Sequence, residues 1–291
     1  MSAAPAELSA YGTLACLLEA SAPKPGNVAP GRPFRDMRYE DFVASAVAIG
    51  PVLAQAGQRP LGETIRDAVR ATRRWTRANT NLGIILLLTP LARGAALSGV
   101  LRDGLRTVLR HTTVADATET YVAIREAQPG GLGRAAEQDL AAAPTVTLLE
   151  AMRLAAARDA IAAEYASGFR VTFEVGLPAA RAARAAGLAW DDATVETFLA
   201  LLAHQPDTLI ARKLGPDAAA EVSSRAAGVL AAGGLRDEAG RAALAVFDAS
   251  LRDAQNTRNP GTTADLTAAA LFAVLIEDGW VPEHSRTDRA Q

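Results

Sequence analysis

Cysteine and histidine are scarce in this chain of 291 residues, which has one cysteine and three histidines. A single cysteine excludes an intramolecular disulfide framework and a Cys-rich zinc site. Cys16 lies among leucines, which favours a buried packing role. The histidines, His111, His204 and His284, share no metal-binding spacing.

Long hydrophobic runs are also absent. The longest, LGIILLLTPLA at residues 82–92, is too short to cross a bilayer. The first residues, MSAAPAELSAYG, lack the charged-then-apolar pattern of a secretory signal. These features predict a cytoplasmic, reduced protein without a membrane partner.

The chain also lacks a large net charge, since its 30 basic and 32 acidic residues give a net charge of −2. No basic field draws the chain to nucleic acid, so an anionic ligand must be bound by a local pocket. Only Lys24 and Lys213 are lysines, and the other 28 basic residues are arginines. Two interpretations stay open: lysine is kept where a compact ammonium is needed, or codon bias removed it elsewhere.

Helical periodicity dominates what is present, and alternating strand patterns are nearly absent. Abundant alanine favours helices and lets them approach closely. We therefore predict an all-α, single-domain multi-helix bundle over residues 1–291, with a core of about 10–278 and a polar tail at 279–291. Helices are expected at 5–20, 39–56, 191–204, 216–232, 236–255 and 263–278, and over 147–185 with irregularities at Gly168 and residues 176–178. Polar breaks fall at 21–37, 129–139 and 256–263.

The least helical stretch is SAPKPGNVAPGRPFRDM, residues 21–37. Its prolines hold Lys24 in an extended backbone, which limits the entropy lost when the lysine meets a ligand. Asn27 is suited to the turns that follow. Asp36 is a candidate metal ligand or base. A rigid segment with these side chains is typical of a phosphate and Mg²⁺ site.

Two further segments have both a structural and a functional interpretation. In RANTNLGIILLL, Asn79, Thr80 and Asn81 precede an apolar helix that they could cap, but two asparagines exceed what a cap needs. Gly83 there permits close approach of a ligand or another backbone. In NPGTTADLTAAALF, Thr262 or Thr263 caps a helix whose start could equally hold a phosphate. Asn259 and Asp265 belong to the same segment.

Charged residues in two other helices have the same ambiguity. Arg212 and Lys213, in PDTLIARKLG, either complement a helix dipole or clamp a polyphosphate. Asp159, in AAARDAIAAEY, lies on an otherwise apolar helix, where a solvated face is the default. The common nucleotide motifs GxxxxGK[ST] and GxGxxG and the hydrolase motif GxSxG are absent.

The ordered segments PKPGNV, RDM, NTNLG, IARK and NPGTTADL together resemble the triphosphoribosyl-dephospho-coenzyme A synthases, over roughly residues 10–275. Members of that family are all-α. They join ATP to 3′-dephospho-coenzyme A with release of adenine, which makes the prosthetic-group precursor of citrate lyase or malonate decarboxylase. The resemblance therefore implies a transferase with ATP and a CoA-like acceptor as partners, Mg²⁺ accompanying ATP, and no organic cofactor.

The resemblance also implies roles for the residues above. Lys24, Arg212, Lys213 and Mg²⁺ would hold the phosphates, with Asp36 as the candidate metal ligand. A carboxylate must accept the proton of the attacking hydroxyl, and Asp36, Asp159 and Asp265 are the candidates. The remaining predicted nucleotide contacts are Asn27, Asn79, Thr80, Asn81, Asn259, Thr262 and Thr263.

Two departures from the family pattern mark a divergent branch. The usual Asn-Thr-His-Lys-Gly is replaced here by Asn79-Thr80-Asn81-Leu82-Gly83, and a small-residue-plus-histidine pattern before Asp36 by PFR. The loss of a cation is compatible with fewer bound phosphates or with a different ribosyl donor or acceptor. Relatives of this branch are associated with methanopterin- or methanofuran-type one-carbon cofactors. A kinase-like or ligase-like use of ATP and a non-catalytic helical ligand-binding protein are the alternatives. Alanine-rich helices pack between subunits as readily as within one, so a homo-oligomer is compatible with the sequence.

Overall fold

The computed structural model describes residues 2–129 and 137–280. These ranges form fourteen α-helices and one π-helical turn, with no β-strand among the described residues, so the predicted all-α class is confirmed. The α-helices are α1 (Pro5–Ser21), α2 (Tyr39–Leu53), α3 (Leu61–Arg73), α4 (Leu82–Leu97), α5 (Leu101–Arg110), α6 (Val114–Ala127), α7 (Leu148–Ala155), α8 (Ala160–Ser167), α9 (Leu177–Ala185), α10 (Trp190–His204), α11 (Thr208–Leu214), α12 (Pro216–Ala231), α13 (Glu238–Leu251) and α14 (Gly261–Asp278). The π-helical turn is Thr172–Gly176.

Helices α4 and α14 form the centre of the molecule. A helix that is apolar on every face must be surrounded by others, and all of residues 82–92 in α4 are buried. In α14, every residue from Thr262 to Leu275 is buried except Asp265. Helix α14 packs against both α1 and α4. Asp265 is therefore a carboxylate in the most enclosed helix of the fold.

The core has two apolar clusters. The larger is built mainly from α1 to α9 and α14. The smaller joins α10, α12 and α13 through Phe198, Val222 and Phe247, and it reaches Ala22 just after α1. Residues 22–37, α11 and the start of α14 lie where the two clusters meet, which positions the site described below.

The helix predictions held where the apolar periodicity was strong. Those for 5–20, 191–204 and 216–232 match helices to within one residue, whereas α2 and α13 end three and four residues earlier than predicted. The expected irregularity at Gly168 is confirmed, because this residue ends α8 with a left-handed φ of 70°. Helices α3, α5 and α6 were not among the predicted segments. The predicted break at 129–139 lies mostly, and the tail at 279–291 almost entirely, outside the described residues.

The break near residue 176 has a packing cause. The π-helical turn ends at Gly176, where an added Cβ would lie 2.7 Å from the Cβ of Ala270 on α14. Only glycine allows the two backbones to approach so closely.

Among the described residues, no single helix is long and apolar enough to cross a membrane. Helices α4 and α5 together pass a test of length and composition but meet at a bend of 111°. The burial of α4 inside the fold accounts for its apolar character.

Candidate functional site

A cavity of about 570 Å³ lies at the meeting point of the two core clusters. Its volume is typical of a pocket for one organic ligand. Its apolar lining comes mainly from α6, α7 and the residues around Phe34 and Phe42, with Tyr121 and Met152 as examples. Its polar side carries Glu19, Asn27, Asp36, Asn79, Thr80, Asn81, Arg158, Asp159, Arg212, Lys213, Asn259, Thr262 and Asp265. Nearly all the predicted site residues therefore come together, although they are spread over more than 200 positions.

Several helices begin at this cavity. Among them, the first turns of α4, α8 and α14 contribute lining residues, including Gly83, Ile161 and Thr262. The N-terminus of a helix carries partial positive charge and free N–H groups, and it is a common site for phosphate. Three such ends give the polar side a positive field that supplements its few cationic side chains.

Four buried polar atoms of the lining have no hydrogen-bond partner among the described residues. They are Asn81 Nδ2, Thr120 Oγ1, Arg212 Nε and Asn259 Oδ1. An unpartnered buried polar group costs about 1–3 kcal/mol, so native proteins rarely retain several in one place without a ligand. Their convergence on one cavity indicates a polar ligand that offers both donors and acceptors.

Asp265 on α14 is one of the polar lining residues. Its pKa is raised well above the usual value, first by burial and then by the negative charges of Glu19, Asp207 and Asp159, while Arg212 opposes the shift. Its carboxylate forms no hydrogen bond or ion pair within the described chain. A carboxyl group whose pKa is raised by its surroundings is a candidate for proton transfer.

Gly83 makes room for this carboxylate. A Cβ added at Gly83 would lie 2.0 Å from Asp265 Oδ2 and 2.7 Å from Ile161 Cδ1. The predicted close approach at Gly83 is thus made by an acidic side chain of α14, which rests against the start of α4.

Asp159, the second predicted catalytic carboxylate, is already engaged. Its Oδ1 accepts a hydrogen bond of 3.0 Å from Ala162 N and caps α8, and its Oδ2 lies 2.7 Å from Arg212 Nη1. Both carboxylate oxygens of Asp159 are therefore occupied by partners within the fold. The geometry assigns Asp159 to orienting Arg212, whose unpartnered Nε completes the same wall.

Asp207 joins two walls of the cavity, and sequence reasoning missed it. Its Oδ1 accepts from Leu209 N and Ile210 N at the start of α11, at 2.8 and 3.1 Å. Its Oδ2 accepts from the backbone N–H and the hydroxyl of Thr263, at 2.7 and 2.8 Å. Buried Asp207 therefore fixes α11 against the first turn of α14.

Thr263 does not line the cavity, in contrast to the prediction that it contacts the nucleotide. Its hydroxyl is bound to Asp207, and the next-door Thr262 faces the cavity instead.

Lys24 also departs from its predicted place. Its side chain is fully buried and absent from the lining, and its Nζ lies 2.9 Å from Glu19 Oε1. The ammonium turns inward, where the carbonyl groups of Glu19 and Ala22 also accept its hydrogen bonds. The prediction that Lys24 holds the phosphates therefore disagrees with its position, because the side chain does not reach the cavity.

The rest of the segment 21–37 does contribute to the cavity. Gly26 N donates to Asp248 Oδ1 at 2.8 Å, and Arg252 Nη2 donates to the carbonyl of Asn27 at 3.0 Å, so α13 holds the segment in place. Asn27 and Asp36 line the cavity, the first buried and the second exposed at its rim.

Lys213 lies at the same rim. Burial lowers the pKa of its ammonium, while the negative charges of Asp207, Asp253 and Asp36 act in the opposite direction. Its Nζ is 3.4 Å from the carbonyl of Asn256, a weak contact that leaves the cation available to a ligand.

The carboxylates of the cavity suit a Mg²⁺ ion only if phosphate oxygens supply its other ligands. Within residues 2–129 and 137–280, no three His, Cys, Asp or Glu side chains are grouped to hold a metal. Mg²⁺ in nucleotide sites commonly uses one or two carboxylates, with waters and phosphate oxygens as the other ligands. Asp36, exposed at the rim, suits that arrangement.

Glu19 and Arg158 also line the cavity and were not predicted from the sequence. Glu19 is 4% exposed at the end of α1, where the apolar residues around it give no sign of a site. Its spacing of five residues from Lys24 was the available signal, since both charges fall at the same end of one helix.

An all-helical fold whose cavity is lined by cations, amides and helix N-termini defines a class of protein suited to anionic ligands. Comparison with known proteins makes this specific: the family model for ATP:dephospho-CoA triphosphoribosyl transferase matches residues 5–284. The chain belongs to this family, as the sequence resemblance predicted.

Individual relatives agree with this assignment. A 2-(5''-triphosphoribosyl)-3'-dephosphocoenzyme-A synthase of Klebsiella pneumoniae is 37% identical over 105 residues, which are 36% of this chain and 37% of that protein. A protein of Pseudomonas putida assigned the same name is 38% identical over 105 residues, with the same shares. The alignments thus span little more than a third of these relatives.

A solved structure extends the similarity to the fold. The crystal structure of a protein from Archaeoglobus fulgidus, assigned as a triphosphoribosyl-dephospho-CoA synthase, matches with a TM-score of 0.63 and 27% identity. The match covers 82% of this chain and all of that one.

Proposed function

We propose that this protein transfers the triphosphoribosyl group of ATP to the 2′-hydroxyl of 3′-dephospho-coenzyme A, or of a closely related acceptor, and releases adenine. Family membership over residues 5–284 supports the reaction class. The observation that carries the proposal is the convergence of unpartnered polar atoms around Asp265, whose pKa is raised, in one cavity.

The reaction must hold a chain of phosphates without cleaving it, and it must activate a hydroxyl. Arg212, Lys213 and the first turns of α4, α8 and α14 surround the triphosphate with positive charge. The unpartnered amide atoms of Asn81 and Asn259 bind sugar hydroxyls or the base. Mg²⁺, when bound with Asp36, supplies further neutralisation of the phosphates. A cytoplasmic setting, where ATP and coenzyme A precursors occur, is part of this proposal.

Asp265 is the base in this scheme. The acceptor oxygen forms a bond to C1′ of the ATP ribose, the C1′–N9 bond breaks, and its electron pair leaves with adenine. Asp265 takes the proton of the hydroxyl, and adenine takes up a proton from water. Because burial and negative neighbours raise the pKa of Asp265, its ionised form is a stronger base than an ordinary carboxylate.

The test is to incubate the purified protein with ATP, Mg²⁺ and dephospho-coenzyme A and to measure adenine by mass spectrometry. Adenine together with a triphosphoribosyl mass gain on the acceptor is the expected result. Formation of ADP or AMP without adenine would refute the transfer and indicate a kinase-like or ligase-like reaction. A matched Asp265→Asn variant should bind ATP and release adenine at least about 100-fold more slowly.

A different acceptor is the second candidate, and one observation favours it. Where the family pattern has histidine and lysine, the cavity presents the amide of Asn81 and the apolar side chain of Leu82, both buried. The lining thereby lacks two cationic groups, which suits an acceptor with less negative charge than dephospho-coenzyme A. Release of adenine with a one-carbon cofactor precursor, and none with dephospho-coenzyme A, would identify that branch.

A further inference from the structure

Two carboxyl groups face the same part of the cavity. Glu19 at the end of α1 and Asp265 on α14 both line it, and Glu19 contributes to the raised pKa of Asp265. Cys16, one turn before Glu19, reports their proximity: burial raises the pKa of its thiol, and both Glu19 and Asp265 raise it further. The scheme above uses Asp265 and leaves Glu19 without a role.

Glu19 and Lys24 form a buried ion pair directed at the cavity. Lys24 is 0% exposed and lies behind the lining, whereas Glu19 is part of the lining. The pair joins Nζ and Oε1 at 2.9 Å. Replacing a buried pair by apolar or neutral groups is often neutral for stability, so such a pair alone is weak evidence of a structural need. Because Lys24 lies behind the lining and Glu19 lies in it, the pair places a negative charge against the ligand.

Building on the transferase function proposed above, we propose that Glu19 is a second catalytic carboxylate and that Lys24 is its positioning residue. The breaking C1′–N9 bond leaves positive charge on C1′ of the donor ribose. A fixed carboxylate beside that carbon stabilises the charge as it develops, and it needs no reorganisation during the reaction.

The two carboxyl groups then divide the work. Glu19, held by Lys24, faces C1′, while Asp265 accepts the proton of the incoming hydroxyl as the C1′–O bond forms. Neighbouring carboxyl groups with opposite protonation tendencies are a common way to separate such roles. The charged groups that act on Asp265 are Glu19, Asp207, Asp159 and Arg212. Those that act on Glu19 are Lys24 and Asp265.

The central experiment uses the double variant Glu19→Gln with Lys24→Met, which removes both charges together. We expect a thermal midpoint and an ATP affinity close to wild type, with adenine release reduced at least about 100-fold. Glu126→Gln is the matched control, because it breaks the Arg70–Glu126 ion pair of 2.7 Å away from the cavity lining. That control should release adenine at the wild-type rate.

Two single variants separate charge from packing. Glu19→Asp keeps the charge but withdraws it by one methylene, and we expect a fall in kcat with little change in KM. Lys24→Met leaves Glu19 buried without its cation, so the carboxyl takes up a proton. Its activity should therefore recover as pH rises, whereas the double variant, which has no carboxyl at position 19, should show no recovery.

The outcomes distinguish this inference from the proposed function. A folded double variant that releases adenine at the wild-type rate would show that the Glu19–Lys24 pair is structural, with the transferase function intact. A Lys24→Met activity that is flat with pH would remove Lys24 as the positioning residue. Wild-type protein that binds ATP but releases no adenine with either acceptor would overturn the transferase function, and the role of Glu19 with it.

Discussion

Gly83→Ala tests the contact between α4 and α14 that positions Asp265. The new Cβ would lie 2.0 Å from Asp265 Oδ2, whereas ordinary contacts begin at 3.4 Å, so the carboxylate must move by about 1.4 Å. A misplacement of about 1 Å at a reacting group can cost roughly 100-fold in rate. We expect kcat for adenine release to fall by about that factor.

Stability should change much less, because two effects oppose each other. Alanine in place of glycine within a helix stabilises by about 0.5–1 kcal/mol. Moving the Asp265 and Ile161 side chains off their preferred rotamers costs about 0.5–1.5 kcal/mol each. The net effect is within about 2 kcal/mol, which corresponds to a shift of a few degrees in the thermal midpoint.

The assay is adenine release at saturating ATP, with thermal unfolding measured on the same samples. Gly228→Ala is the control, since no atom lies within 4 Å of its added Cβ on α12. It should be slightly more stable than wild type and fully active. A Gly83→Ala variant with wild-type activity would refute the inference that Asp265 acts from its position against α4.

Three other variants test the remaining parts of the site. Because the pKa of Asp265 is raised, its contribution to stability is fully present below the unfolded-state pKa and is lost as pH rises through the folded-state pKa. Asp265→Asn should therefore unfold at a higher temperature than wild type at about pH 7, and the difference should vanish near pH 4. Thermal melts across that pH range measure this difference. A difference independent of pH would contradict the raised pKa. Arg212→Ala should weaken ATP binding, measured by calorimetry, about 10- to 100-fold because charge-assisted contacts are lost. The control Arg106→Ala, at an exposed position, should bind ATP as wild type does. Equal ATP affinities of the two variants would exclude Arg212 from the phosphate site. Asp248→Ala removes the acceptor of Gly26 N and should raise KM for ATP more than it lowers kcat; an unchanged KM would show that the segment 21–37 needs no such anchor.

The helical class could be predicted because apolar periodicity and alanine content are local properties. Helices α3, α5 and α6 were not predicted, although α3 and α5 are strongly amphipathic. Apolar runs in the sequence identify central helices such as α4 more readily than peripheral ones. The four separate pieces between 148 and 185 follow from tertiary contacts, such as that of Gly176 with Ala270, which no local pattern contains.

Most of the site could also be predicted, because excess polarity beside helix starts marked Asn79, Asn81, Asn259 and Asp265. Each segment alone had an adequate structural explanation, and only their convergence on one cavity favours the functional one. The prediction failed for Lys24 since the direction of a side chain depends on its tertiary neighbours. The flanking prolines fix the backbone but do not show that the Lys24 ammonium turns away from the cavity to pair with Glu19.

The arrangement of charges has an energetic consequence for the free protein. Glu19, Asp159 and Asp265 bring negative charges together, and the lining retains unpartnered donors and an unpartnered acceptor. Each of these features destabilises the empty fold, so a ligand that satisfies them recovers that free energy on binding. Burial of the apolar helices α4 and α14 offsets this destabilisation. The same two helices carry Gly83 and Asp265. Two deeply buried helices therefore hold the group that must be placed most accurately, as preorganised catalysis requires.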